Sequence, residues 1–200
     1  LGMAGEQVLV LFCGQLVERK GVQVLIRAFG AAGVAGARLL IVGGGPLQGR
    51  LGRMTEMRLK DRVHFLGEVP YEEAAEYYLA ADIFVLPTLY DGWGVVINEA
   101  CAAGLPVICT RAAGAGADLV REDRNGMLVE AGDPGALASA IRRLAADADL
   151  RVRMGAESRR LIESYSPAAA AQRLWEIATH AGAGRRVPES NAGCTRNKIL

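Results

Sequence analysis

Asp91, Glu99 and Lys20 are the residues whose types and spacing could do chemistry. Asp91 and Glu99 stand eight positions apart in PTLYDGWGVVINEACAAGLP (87–106), with Gly92-Trp93-Gly94 following the first. The apolar run 82–86 before them reads as a buried parallel strand, and the residues after Gly94 read as a helix. Strand, Gly-rich turn and helix N-terminus, in that order, make an anion site, because first-turn N–H groups have no intrahelical acceptor. The free N–H groups of Trp93 to Val96 would point at a phosphate, with Glu99 about one turn further along. A carboxylate there would repel phosphate but can accept hydrogen bonds from paired sugar hydroxyls. Phosphate and ribose side by side are two parts of a nucleotide.

Asp91 and Glu99 also have plainer readings. Asp91 could cap the following helix, and Glu99 could be an exposed helical residue. Glu99, however, sits among Val95, Val96, Ile97, Ala100 and Cys101 on a helix apolar nearly all round. A carboxylate buried there needs partners, which favours the functional reading. Lys20 ends the polar loop GQLVERKG (14–21). Arg19 and Lys20 at a helix N-terminus oppose its dipole, at a cost of about 0.3–1 kcal/mol, and a bound anion reverses that sign. Lys20 either holds a diphosphate or forms a solvated pair with Glu18.

The elements that must position these groups alternate strand and helix. Val8–Cys13, Leu39–Val42, Val63–Leu66, the run 82–86, Val107–Cys109 and Gly126–Val129 are short apolar runs suited to strands. Val22, Leu25, Ile26 and Phe29 keep the spacing of an amphipathic helix. The GGGP turn at 43–46 leads to a helix expected to reach about Leu59. Tyr71–Ala81 reads as a helix with Tyr78 and Leu79 in the core, and Asp118–Arg121 as a short one. Asp133-Pro134 combines an N-cap with Pro at the first helical position, ahead of a buried stripe of Leu137, Ile141, Leu144 and Ala145. Helices follow over about 149–163 and from Ser166-Pro167, the latter with Leu174, Trp175 and Ile177 available for packing. The pattern fails after Gly182, so 1–181 is expected to form one domain and 182–200 a tail. The implied fold class is α/β, a single Rossmann-like doubly wound parallel sheet of about six strands with extra C-terminal helices, binding ligand at the carboxyl ends of its strands.

Composition narrows the function classes. The chain has 200 residues, 51% hydrophobic, with 25 Gly and a net charge of +1. Its scattered basic residues argue against nucleic acid as a partner. Cys13, Cys101, Cys109 and Cys194 lack CxxC spacing, and the first three lie in apolar segments, so a reduced, cytoplasmic setting is expected. With only His64 and His180 far apart, no metal is expected. No apolar run approaches the roughly 20 residues of a membrane span. The start at Leu1 reads as a fragment or processed piece. The GGGP turn lacks the GxGxxG pattern and its later acidic residue, so a nicotinamide cofactor is not expected.

FCGQLVERKG, IVGGGPL, VHFLGEVP, YYLAADIFVLPTLYDGWGVVINEACAAGLPVI and NGMLVEAGDPGALASAI together resemble the donor half of family 4 (group 1) retaining glycosyltransferases, over roughly Val8 to Ala181. The resemblance implies the C-terminal half of a GT-B architecture, two Rossmann-like domains with the active site in the cleft between them. It implies hexosyl transfer from a nucleotide-diphosphate sugar (UDP-, GDP- or ADP-sugar) to an acceptor hydroxyl with retention, and no cofactor. Lys20 would hold the diphosphate and Asp91 the donor sugar's hydroxyls. Glu99 would hold the ribose hydroxyls, and the backbone of Gly92, Trp93, Gly94, Val95 and Val96 would lie against sugar and phosphate. Gly14 and Gln15 would flank the donor, and the loop carrying Gly67 and Val69 would border the base. The departing phosphate would take the acceptor's proton, so no protein nucleophile is implied.

Three positions depart from the family pattern. Gln15 stands where an Arg is usual, Asp91 where a Glu is usual, and Gly44 where an acidic residue is more common. Gln15 removes a cation, and charge-assisted bonds are about twice as strong as neutral ones. The family setting implies a glycan or glycolipid acceptor met by an N-terminal domain absent here, in polysaccharide assembly, with peripheral association of the full-length protein at the inner face of the membrane. This chain alone would lack turnover. The alternatives are a catalytically inactive nucleotide-binding module, or a subunit needing a partner chain. A nucleotide-sugar epimerase of similar design is disfavoured by the Asp91–Glu99 motif.

Overall fold

The computed structural model describes residues 7–56 and 58–183. Six parallel strands form one sheet in the order β3-β2-β1-β4-β5-β6. They are β1 (Leu9–Cys13), β2 (Arg38–Val42), β3 (Val63–Gly67), β4 (Ile83–Leu86), β5 (Val107–Thr110) and β6 (Gly126–Val129). Every residue of β4 and β5 is buried, as parallel strands covered on both faces require. The connecting helices are α1 (Val22–Ala32), α2 (Gln48–Thr55), α3 (Tyr71–Ala80), α4 (Val96–Ala103) and α5 (Gly114–Leu119), followed by α6 (Pro134–Ala146) and α7 (Ala148–Glu163). α1 packs on α6 and α2, while α4 packs on α7, α3 and α5, as expected of a doubly wound sheet. Among the described residues, no helix is long and apolar enough to cross a membrane.

β1 is the switch point. The chain winds outward from it through β2 to β3, then returns to pair β4 on its other side, Val10 against Ile83 and Leu11 against Phe84. The loops after β1 and β4 therefore open side by side at the carboxyl edge, where doubly wound sheets bind ligands. These are the loops carrying Lys20 and Asp91.

Several expected elements have different limits. α2 ends at Thr55 rather than near Leu59, with the Thr55 hydroxyl donating 2.7 Å to the Gly52 carbonyl. Two glycines, Gly49 and Gly52, weaken that helix. α5 spans Gly114–Leu119 instead of 118–121. Leu79, expected in the core, is 70% exposed, whereas Tyr78 beside it is 3% exposed. Three consecutive large side chains cannot all face inward on one helix, and the one at Tyr78 meets Phe84 with ring centroids 5.7 Å apart. Leu137, Ile141 and Leu144 are buried in α6 as expected, and Ala145 is half-buried.

The first compact unit ends at Glu163, and a second begins at Ser164. That second unit holds α8 (Pro167–Ala183), on which Leu174, Trp175 and Ile177 are exposed. Most of the expected tail, residues 184–200 with Cys194, lies outside the described residues.

Candidate functional site

Lys20 reaches the site because two loops are zipped together. It closes a 3₁₀ turn, Glu18–Lys20, followed by Gly21 in the left-handed region (φ +65°). A Cβ at Gly21 would lie 2.1 Å from the Pro87 carbonyl oxygen, so glycine lets this turn press on the end of β4. The Leu89 amide donates to the Arg19 carbonyl at 2.7 Å, and the buried Thr88 hydroxyl lies 2.8 Å from the same oxygen. Thr110 on β5 in turn donates to the Thr88 carbonyl at 2.6 Å. Lys20 Nζ thereby comes to 2.5 Å from Asp91 Oδ2, with the two side chains only 11% and 12% exposed. Arg19 approaches the same oxygen at 3.9 Å. Lys20 does not pair with Glu18, which instead binds Arg50 at 2.8 Å and Gln23 at 2.9 Å. With three residues per turn, Glu18 and Lys20 project to different sides.

The Asp91 loop is clamped by the start of α5. The Asp91 amide donates to Ala112, Gly114 donates to the Asp91 carbonyl, and Ala115 donates to the Trp93 carbonyl at 2.7 Å. A Cβ at Gly114 would lie 2.3 Å from the Gly92 oxygen. Asp91 does not cap α4: the N-cap position is Val95, without a side-chain hydrogen bond. Its carboxylate turns to Lys20 instead. The first α4 amide to find an acceptor is that of Ile97, on Gly94. Those of Trp93, Gly94, Val95 and Val96 have none among the described residues, so they stand free as a helix N-terminus adjoining a buried cation requires for an anion. The Trp93 indole donates to Asn98 at 2.9 Å, and Val95 is exposed.

Glu99 is half-buried rather than enclosed, and its partner is Tyr78, whose hydroxyl donates to Oε2 at 2.6 Å. Burial raises the Tyr78 pKa strongly, with smaller contributions from Cys13 and from Glu99. The hydroxyl thus stays protonated and able to donate. Burial also pushes the Cys13 thiol up, opposed in part by its hydrogen bond with Tyr78. The end of β1, α3 and α4 meet at these three side chains. Tyr78, expected in the core, is buried there but also carries a polar tip, and the need of a buried tyrosine for a hydroxyl partner was the available signal.

Beside Glu99 opens a cavity of about 370 Å³ lined by residues from the ends of β1, β2 and β3. Of the expected site residues, Gly14, Gln15, Val69, Val96 and Glu99 line it. Gly67 does not line it, but accepts the Gly43 amide at 2.7 Å and so ties the third loop to the second. Lys20, Asp91, Gly92, Trp93, Gly94 and Val95 belong to the adjoining loop pair rather than to the cavity wall. Cys13, Gly44, Glu68 and Tyr71 line it without having been expected. A second cavity of about 410 Å³ continues past Glu99 between α3 and α4, sharing Tyr71, Ala74 and Glu99 with the first. A larger one of about 660 Å³, between α1 and α2, includes none of the strand-end loops. No three His, Cys, Asp or Glu side chains gather among the described residues as metal ligands would.

Residues 7–147 match the family described as glycosyl transferases group 1. The chain belongs to that family. It is similar to a GDP-mannose-dependent alpha-(1-6)-phosphatidylinositol monomannoside mannosyltransferase of Mycobacterium tuberculosis, 34% identical over 165 residues, which are 78% of this chain and 43% of the relative. Its fold superposes on sucrose-phosphate synthase from Thermosynechococcus elongatus with a TM-score of 0.77 and 31% identity, over 92% of this chain and 47% of that one. Anabaena HepE in complex with UDP shares the fold at 23% identity, with a TM-score of 0.77 over 88% of this chain and 49% of the other. The chain thus spans under half the length of these relatives, and corresponds to the C-terminal domain of a GT-B glycosyltransferase.

Proposed function

We propose that this chain is the donor-binding domain of a retaining glycosyltransferase, taking a nucleotide-diphosphate sugar and passing the sugar to an acceptor hydroxyl. The observation that carries the reading is the meeting, at the switch point of the sheet, of the buried Lys20–Asp91 pair with four free amides at the N-terminal end of α4. Lys20 has three N–H donors and uses one on Asp91, so it can still donate to a diphosphate. Arg19 supplies a second cation nearby. Asp91 Oδ1 has no partner among the described residues and is open to a sugar hydroxyl. Glu99, fixed by Tyr78, would take the ribose hydroxyls.

The chemistry such a site favours is stabilisation of charge growing on the departing diphosphate. Fixed amides and Lys20 provide it. Asp91 is a poor nucleophile while two cations face one of its oxygens, which supports transfer through attack on the face from which the nucleotide leaves. The departing phosphate oxygen takes the acceptor's proton in that step. A glycan or glycolipid is the acceptor class proposed, by analogy with the relatives. Those relatives name both GDP and UDP, so they leave the base open.

Calorimetric titration with GDP, UDP and ADP tests the reading. At least one is expected to bind in the micromolar to millimolar range, and Glu99→Ala to remove that binding while leaving the fold intact. Binding unchanged in the variant would place the ribose elsewhere. The uncharged Gln15 favours a second reading, a nucleotide-binding module without turnover. Sugar transfer by this chain alone would exclude it.

A further inference from the structure

The three glycines of the GGGP turn do different things. Gly43 and Gly45 have φ of +124° and +153°, and Cβ atoms there would lie 2.1 Å from the Gly14 oxygen and 2.7 Å from the Leu16 oxygen. Both are explained by backbone packed on backbone where the loops after β1 and β2 touch. Gly44 has neither feature: its φ is not positive, and the three atoms nearest to a Cβ there all belong to the Glu68 side chain. Glu68 Cγ would lie 2.8 Å away, Oε1 2.9 Å and Cδ 3.2 Å. A glycine at 44 therefore leaves the room that the Glu68 carboxylate occupies.

Glu68 lines the cavity of about 370 Å³ together with Glu99, and among the described residues these two are its only charged lining residues. Among the described residues Glu68 makes no hydrogen bond and no ion pair. Lys20 and Arg19 are outside this cavity, so among the described residues its wall carries negative charge without a cation. Such a wall suits a neutral group rich in donors and repels phosphate. On the donor-site reading above, Glu99 takes the ribose, and the group attached to the ribose is the base.

The bases differ in what they offer a carboxylate. Guanine presents N1–H and N2–H₂ side by side, two parallel donors for two carboxylate oxygens. Uracil presents N3–H between two carbonyl oxygens, each of which faces an acceptor. Adenine presents one amino donor beside the N1 acceptor. Paired charge-assisted hydrogen bonds favour the first, and unmatched acceptors penalise the others. We infer that Glu68, in the space left by Gly44, selects a guanine nucleotide as the donor.

The test is calorimetry of this chain with GDP, UDP and ADP, repeated on Glu68→Ala and Glu68→Gln with melting curves to confirm folding. Glu68 is exposed, so neither change should disturb the core. GDP is expected to bind about tenfold more tightly than UDP or ADP. In Glu68→Ala the three should converge to within about twofold, as the selective contact is gone. In Glu68→Gln, UDP should gain, because an amide offers one donor and one acceptor to uracil. A GDP preference that survives in Glu68→Ala, or equal binding of GDP and UDP by the parent chain, overturns the base assignment alone. Failure of all three nucleotides to bind overturns the donor-site reading, and this inference with it.

Discussion

Lys20 and Asp91, 71 residues apart, share a contact of 2.5 Å at the one place where the sheet changes winding direction. Thr88 and Leu89 bind the Arg19 carbonyl, and Gly21 seats the turn on Pro87, so the backbone holds Lys20 in place before any ligand arrives. The carboxylate offsets the cost of keeping an ammonium group largely out of water. A preset cation with donors to spare can meet a diphosphate without first being ordered.

Removing one partner of this pair should cost more than removing both. Asp91→Asn leaves Lys20 beside Arg19 without its counter-charge, and a loss of about 3 kcal/mol in urea unfolding is expected, near the low end for buried pairs. Lys20→Met with Asp91→Leu should recover most of that stability and still fail to bind nucleoside diphosphates. Single and double variants of equal stability would mean that the pair is energetically idle.

Arg19 is expected to act on phosphates alone. Its side chain is 49% exposed, so Arg19→Ala should leave stability within about 0.5 kcal/mol and weaken nucleoside diphosphate binding about tenfold. Affinity for the matching nucleoside should change by less than about twofold, since the nucleoside lacks the charge that Arg19 meets. Adding Gln15→Arg in the same background should restore binding. Equal weakening of nucleotide and nucleoside would point to a structural role.

The sheet was legible because parallel strands buried on both faces are written as unbroken apolar runs, as in Ile83–Leu86. The start of α6 was legible because its cap is local: Asp133 accepts from the Gly135 and Ala136 amides at 2.8 and 2.9 Å. Lys20 and Glu99 could be singled out by charge set against apolar surroundings. Their pairings could not, because each partner arrives from another element. Asp91 comes to Lys20 across the switch point, and Tyr78 comes to Glu99 from α3. The position of α5 was missed for a related reason. Gly114 and Gly116 are poor helix formers, and they are there because neighbours crowd them: a Cβ at Gly116 would lie 2.9 Å from Cys109 Sγ.

The Tyr78–Glu99 contact gives a pH signature. The folded-state pKa of Tyr78 lies well above its usual 10.0. An acid whose pKa rises on folding contributes stability fully present below the unfolded value and lost as pH climbs towards the folded one. Stability should therefore decline above about pH 10. In an alkaline absorbance titration, one tyrosine equivalent should ionise only as the chain unfolds. Tyr78→Phe should abolish that late step and, by freeing the Glu99 carboxylate, weaken nucleotide binding about three- to tenfold. A titration of the parent chain without a late step would place the Tyr78 hydroxyl in contact with water.

Two glycine-to-alanine changes should move stability in opposite directions. At Gly43, φ is +124° and the new methyl would sit 2.1 Å from the Gly14 carbonyl oxygen, with backbone on both sides unable to yield. Strain and displacement of the loops after β1 and β2 should cost about 2 kcal/mol or more and disturb the adjoining cavity, so nucleotide affinity falls as well. Gly52 lies in α2 with φ outside the positive region and nothing within 4 Å of a Cβ. Alanine there reduces the entropy of the unfolded chain and favours the helix, for a gain of about 0.5–1 kcal/mol with nucleotide binding unchanged. Denaturant midpoints of the two variants decide the matter. A neutral Gly43→Ala would show that the loops after β1 and β2 are not packed as closely as the nucleotide site requires.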